Sequence, residues 1–170
     1  MQVIRHFLLL CFSFASLQIA ANDLGAIAGK SQSAPDFPIN LSKQARSLSD
    51  LHGKVVLVDF WASWCKPCRH SFPWMNAMQE KYGKDGLQII AVNLDSEKQL
   101  AHDFLAQVPA SMPIVFDPLG EIASQYQLLG MPNSYLIDQK GNIRFVHKGF
   151  FAARTGQYEQ EINHLLAELE

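Results

Sequence analysis

Two stretches of the chain are apolar at nearly every position and short enough to be strands: "VVLVDFW" (55–61) and "GLQIIAVNL" (86–94). A strand covered on both faces has no polar side to alternate with, so such runs predict the centre of a sheet. Between them the pattern turns helical from Lys66 to about Tyr82, with Phe72, Met75 and Tyr82 toward one side. Strand, helix and strand make a βαβ unit with a right-handed crossover. Pro73 falls inside the helical stretch and predicts a kink there.

Further along, "SEKQLAHDFLAQV" (96–108) carries Leu100, Phe104, Leu105 and Val108 at helical spacing. A short strand, "MPIVFD" (112–117), and a short helix, "LGEIASQYQL" (119–128), follow. "NSYLIDQKGNIRFVHKG" (133–149) reads as a hairpin turning at Asp138–Gly141. Tyr158, Ile162, Leu165, Leu166 and Leu169 mark a closing amphipathic helix. The order of elements predicts a single α/β domain over 36–170, with 36–54 as short extended pieces and turns.

The N-terminus has another pattern. "MQVIRH" contains Arg5 and no acid, and "FLLLCFSFASLQIAA" (7–21) is apolar, broken only by small or polar residues. A basic start, an apolar centre and small residues after it describe a secretory signal peptide. Residues 1–21 are read so, with cleavage after "IAA" (19–21) or as late as residue 28. The run is shorter than the roughly 20 apolar residues that span a bilayer; left uncleaved, it would act as an anchor. Residues 22–35 are small and polar, a flexible lead-in. Its "GAIAGKS" has one residue too few between its glycines for a phosphate loop and follows no strand.

The chain has 170 residues, 48% hydrophobic, with a net charge of −2. That is enough for one core. The balance gives no electrostatic case for a nucleic-acid or anionic-lipid partner. Export changes the meaning of the three cysteines, because Cys11 leaves with the leader and only Cys65 and Cys68 remain. A staple closing so small a loop removes little chain entropy. A structural zinc site wants four ligands, and no second CxxC or HxxxH accompanies the pair. Haem attachment needs a histidine after the second cysteine, where Arg69 stands. His70 lies two residues from Cys68, off its helix face.

Reversible dithiol–disulfide chemistry fits better. A thiolate is the attacking species. Cys65 falls where a strand hands over to a helix, whose free N–H groups and partial positive charge lower a thiol pKa. Lys66 adds positive charge, and Pro67 suits a first helical turn. The three-residue offset brings Cys68 close to Cys65. Cys65 is therefore the expected nucleophile and Cys68 the resolving thiol; a peroxidatic cysteine would need no such partner. Asp59 interrupts the apolar strand, and a buried carboxylate requires a partner or a raised pKa.

"VLVDFWASWCKPC" followed by "SFPWM" resembles the active-site segment of thioredoxins, and "LLGMPNSYLIDQKGNI" the segment that carries their cis-proline, here Pro132. With the leader, the "APDFPI" lead-in and the extra "SEKQLAHDFLAQVPASMPIVFD", residues 34–150 resemble the exported TlpA- and ResA-like thiol:disulfide oxidoreductases. The resemblance implies a thioredoxin fold: a central mixed β-sheet flanked by helices, with an N-terminal extension and a central αβ insertion. It implies that Asp59 accepts the proton of Cys68. It also implies that substrates lie against Pro132, paired with the backbone of Met131 and touching Trp64, Lys66 and Pro67. Trp61 is expected in the core and Trp64 at the surface.

The implied task is reduction of exported, disulfide-containing proteins, apocytochrome c among them, in the periplasm. A membrane thiol-transfer protein would act as electron donor, and no organic cofactor or metal would be needed. Disulfide oxidation or isomerisation on the same fold, or copper carriage by Cys65, Cys68 and a distant histidine, are the alternatives. Two positions depart from the family pattern: Asn133 follows the proline where Thr or Ser is usual, and Lys66-Pro67 fills the intervening dipeptide.

Overall fold

The computed structural model describes residues 32–39, 41–43 and 45–168; the leader with Cys11, its cleavage sites and most of the lead-in lie outside them. Among the described residues six strands form one mixed sheet in the order β1-β6-β5-β2-β3-β4. They are β1 (Gln32–Ser33), β2 (Val55–Trp61), β3 (Leu87–Asn93), β4 (Ile114–Phe116), β5 (Asn133–Ile137) and β6 (Asn142–Lys148). The helices are α1 (Cys68–Tyr82), α2 (Lys98–Gln107), α3 (Glu121–Gln125) and α4 (Thr155–Ala167). β2 lies at the centre, parallel to β3 and antiparallel to β5, and all seven of its residues are buried. This is the thioredoxin-like architecture that the sequence predicted.

Three details differ from expectation. The lead-in is not wholly unstructured, because Gln32 and Ser33 pair with Ile143 and Asn142 and extend the sheet edge. The helix after the cysteine motif begins at Cys68 rather than Lys66, and Pro73 lies inside its span to Tyr82. Leu100, expected on the apolar face of α2, is exposed, and Ala101 and Phe104 take the buried positions. The first turn of that helix sets the phase of its buried stripe, and one residue of drift turns a side chain by about 100°.

Alternation along β2 divides the core in two. Val55, Leu57 and Trp61 face a cluster with Cys65, Cys68, Phe72, Met75, Phe104 and Ile162. Val56, Val58 and Phe60 face a second cluster with Phe37, Tyr126 and Tyr135. Trp61, Phe72 and Phe104 pack with ring centroids 4.8–5.2 Å apart, joining β2, α1 and α2. Such aromatic contacts add about 0.5–1.5 kcal/mol each beyond burial. They form the floor under the cysteine motif. No helix among the described residues is long and apolar enough to cross a membrane.

Candidate active site

The chain leaves β2 at Trp61, makes a tight turn through Ala62–Trp64 and enters α1 at Cys68. Cys65 N–H donates to the Ala62 carbonyl at 3.1 Å, and Cys68 N–H donates to the Cys65 carbonyl at 3.1 Å. This i,i+3 geometry joins the two sulfurs in a disulfide with an S–S distance of 2.02 Å and Cα atoms 5.4 Å apart. Their exposure is unequal: Cys68 is fully enclosed, whereas Cys65 keeps 4% of its surface open. Trp64 beside it is 68% exposed, and Lys66 and Pro67 are exposed as well. His70 is exposed on α1, and Trp61 is fully buried.

A residue that the sequence did not single out holds this turn. Asp95, just beyond β3, is buried. Its carboxylate accepts the Ser63 backbone N–H at 3.0 Å, the Ser63 hydroxyl at 2.8 Å and the Asn93 side-chain amide at 2.8 Å. An acid directly after a buried apolar strand was the one visible signal. Removing the acceptor leaves buried donors unpaired, which costs about 1–3 kcal/mol per group. Asp95→Ala is therefore expected to lower unfolding free energy by roughly 2–4 kcal/mol in urea titrations of the oxidised protein. An unchanged midpoint would mean that the turn holds itself.

Asp59 projects from β2 on the same side as Leu57 and Trp61, hence toward the cluster that buries Cys68. It is 3% exposed, and its Oδ2 has no hydrogen-bond partner. Burial without a compensating charge pushes its pKa up to about 8. Of the buried side-chain polar atoms among the described residues, only Trp61 Nε1 and Asn133 Oδ1 are also unpaired. Met131 packs against the same cluster as the cysteines, and the Met131–Pro132 peptide bond is cis. Pro132 and Asn133 are buried at the start of β5, beside a groove lined by Leu129, Gly130, Lys148 and Gly149. No group of three or more His, Cys, Asp or Glu side chains among the described residues is placed to hold a metal.

A redox-active CxxC disulfide at the head of α1, on a thioredoxin-like sheet, defines a thiol:disulfide oxidoreductase. Residues 31–146 match the AhpC/TSA family, and the chain belongs to that family, in its thioredoxin-like, ResA- and DsbE-type branch. It is 39% identical to the thioredoxin-like protein YneN of Bacillus subtilis (strain 168), over 78% of each chain. It is 35% identical to the thiol-disulfide oxidoreductase ResA of Geobacillus kaustophilus, over 68% of this chain and 67% of that one. A crystal structure from Chlorobium tepidum, assigned as the thiol:disulfide interchange protein DsbE, superposes with a TM-score of 0.75 at 48% identity. The superposition covers 81% of this chain and 98% of that one.

Proposed function

We propose that the protein works outside the cytoplasm, in the periplasm, as a reductase of disulfides in exported proteins, with apocytochrome c as a candidate substrate. The observation that carries the chemistry is the setting of the disulfide: Cys65 keeps 4% of its surface open between exposed Trp64 and Lys66, and Cys68 keeps none. The apolar leader of residues 7–21 supports export, and membrane contact arises only if that segment stays uncleaved. The direction of electron flow rests on the resemblance to exported reductants, recharged by a membrane thiol-transfer protein.

In the dithiol state Cys65 thiolate attacks a substrate disulfide, forming a mixed disulfide and releasing one substrate thiolate. The substrate segment lies across Trp64, Lys66 and Pro67 on one side and the Met131–Pro132 loop on the other. Cys68, enclosed beneath, loses its proton to Asp59 and displaces the second substrate sulfur from Cys65. The protein is left oxidised and the substrate reduced. No residue in this sequence of steps calls for a cofactor.

The reduction potential of the Cys65–Cys68 pair tests the direction. Equilibration with a series of thiol buffers is expected to place it near the value for thioredoxin, about −270 mV. A potential near −120 mV, that of a strong oxidant, would reverse the direction and make the protein a disulfide donor.

A further inference from the structure

Asp59 does not stand alone on its face of the sheet. Its direct neighbour across β5 is Ser134, and the direct neighbour of Ser134 across β6 is His147. Residues directly opposite on adjacent strands share a face, with Cβ atoms about 4.5–5.5 Å apart. The three side chains therefore form one polar row through an otherwise apolar layer, flanked by Leu57, Leu136 and Phe145 one step along. Ser134 Oγ lies 3.4 Å from His147 Nδ1. The other ring nitrogen, Nε2, meets Glu161 Oε2 of α4 at 2.5 Å. Glu161 Oε1 accepts the Gln157 side-chain amide at 3.0 Å, so the buried carboxylate is paired at both oxygens. Tyr158 stacks its ring beside that of His147, with centroids 4.4 Å apart.

This arrangement has a direction. Glu161 is acceptor-only when ionised, so His147 Nε2 carries the hydrogen and Nδ1 turns its lone pair toward Ser134. Ser134 donates to that lone pair; it stands directly across from Asp59, whose Oδ2 lacks a partner, and no hydrogen bond joins the two in the oxidised protein. Ser134 is half-buried, and the His147 side chain is 10% exposed, which gives the row an outlet at the edge of β6.

We infer that Ser134, His147 and Glu161 form a proton exit for Asp59, carrying the proton of the Cys68 thiol across the sheet to the β6 edge. The inference rests on Asp59 as the base for Cys68 in the mechanism above. In the resolving step the Cys68 S–H bond breaks and an O–H bond forms on one Asp59 oxygen. As the Asp59 carboxyl and the Ser134 hydroxyl close to hydrogen-bond distance, the proton already on the other oxygen moves to Ser134 Oγ, and the Ser134 hydroxyl proton moves to His147 Nδ1. The Cys68 sulfur electron pair attacks Cys65 Sγ, the mixed disulfide breaks, and the substrate leaves as a thiolate. The imidazolium so formed faces the Glu161 carboxylate and releases its proton to solvent.

The exit lets Asp59 act while it is still protonated, because a carboxylic acid can receive on one oxygen as it donates from the other. Burial holds Asp59 protonated up to about pH 8. Without the exit, only its ionised form could take the Cys68 proton. The groups that face the row are Cys68 from α1, Glu161, Gln157 and Tyr158 from α4, and Ala91 from β3, which carries no charge.

Rapid mixing of the reduced protein with glutathione disulfide, quenched in acid and read by mass, separates attack by Cys65 from resolution by Cys68. Between pH 8 and pH 7 the wild-type resolution rate is expected to hold within about twofold. In Ser134→Ala and in His147→Gln it is expected to fall about fivefold over the same unit, following the ionised fraction of Asp59, while attack by Cys65 stays unchanged. Asp59→Asn is expected to resolve slowly, and Asp59→Asn with Ser134→Ala no more slowly than Asp59→Asn alone. Parallel pH profiles in wild type and Ser134→Ala, losses that multiply in the double variant, or attack slowed equally with resolution would overturn the exit. Asp59→Asn resolving at the wild-type rate would overturn Asp59 as the base, and the exit with it.

Discussion

Cys65→Ser is expected to bring disulfide reduction down to background, a loss of about three orders of magnitude or more, while Cys68→Ser retains one covalent turnover. The two cysteines differ in position, and the expected outcomes follow from that difference. Cys65 lies in the turn before α1, next to exposed Trp64, and keeps 4% of its surface open. A serine hydroxyl there is not ionised near neutral pH, so the attacking species is lost outright. Cys68 is enclosed in the core, and in the proposed mechanism it reacts only with a sulfur already bound to Cys65. In Cys68→Ser the mixed disulfide forms and has no internal route to resolution. Mass measurement after mixing with a disulfide-bonded protein should find a one-to-one adduct on Cys68→Ser, released by added dithiol, and none on Cys65→Ser. Turnover surviving in Cys65→Ser would sink the assignment of the nucleophile.

The sequence made β2, β3 and the β5–β6 hairpin legible because each is a nearly continuous apolar run or an alternating pair around a turn. β2 was predicted at 55–61 and spans those residues. The cysteine pair was legible from its spacing, and the cis bond before Pro132 only through resemblance, since the same residues could punctuate a loop. Leu100 was misread because a heptad-like pattern fixes a stripe but not its edge. The polar row was not legible at all. Ser134 and His147 are thirteen residues apart, Glu161 another fourteen, and Asp59 lies far upstream. What brings them together is the register of three strands and the docking of α4, and each of those is decided by apolar neighbours. Asp95 escaped notice for a related reason: its role depends on where the turn at Ser63 lands, which no local pattern reports.

Replacing Asp59 with asparagine is expected to stabilise the oxidised protein at neutral pH, on the order of 4 kcal/mol at pH 7, and to leave it nearly unchanged at pH 4. Asp59 has an ordinary value of 3.8 when unfolded and about 8 when folded. Between those values the native state holds a proton that the unfolded state has released. Stability therefore falls as pH rises, by about 1.4 kcal/mol per pH unit, and levels off above the folded value. The substituted amide keeps a neutral polar group of the same shape but has no proton to lose, so the variant's stability lacks this slope. Other carboxylates slope the opposite way: Asp50, Glu159 and Glu168 have lowered pKa values, from hydrogen bonds to the Ser47 backbone, Lys81 and Arg144 respectively. They are shared by both proteins and cancel in the difference. Urea midpoints of wild type and Asp59→Asn from pH 4 to pH 9 should thus diverge up to about pH 8 and run parallel beyond it. A constant gap, or a variant less stable throughout, would mean that the carboxyl is ionised in the fold and paired. A carboxyl with that stability cost would be accounted for by the proton it handles in the proposed mechanism and not by the packing it provides.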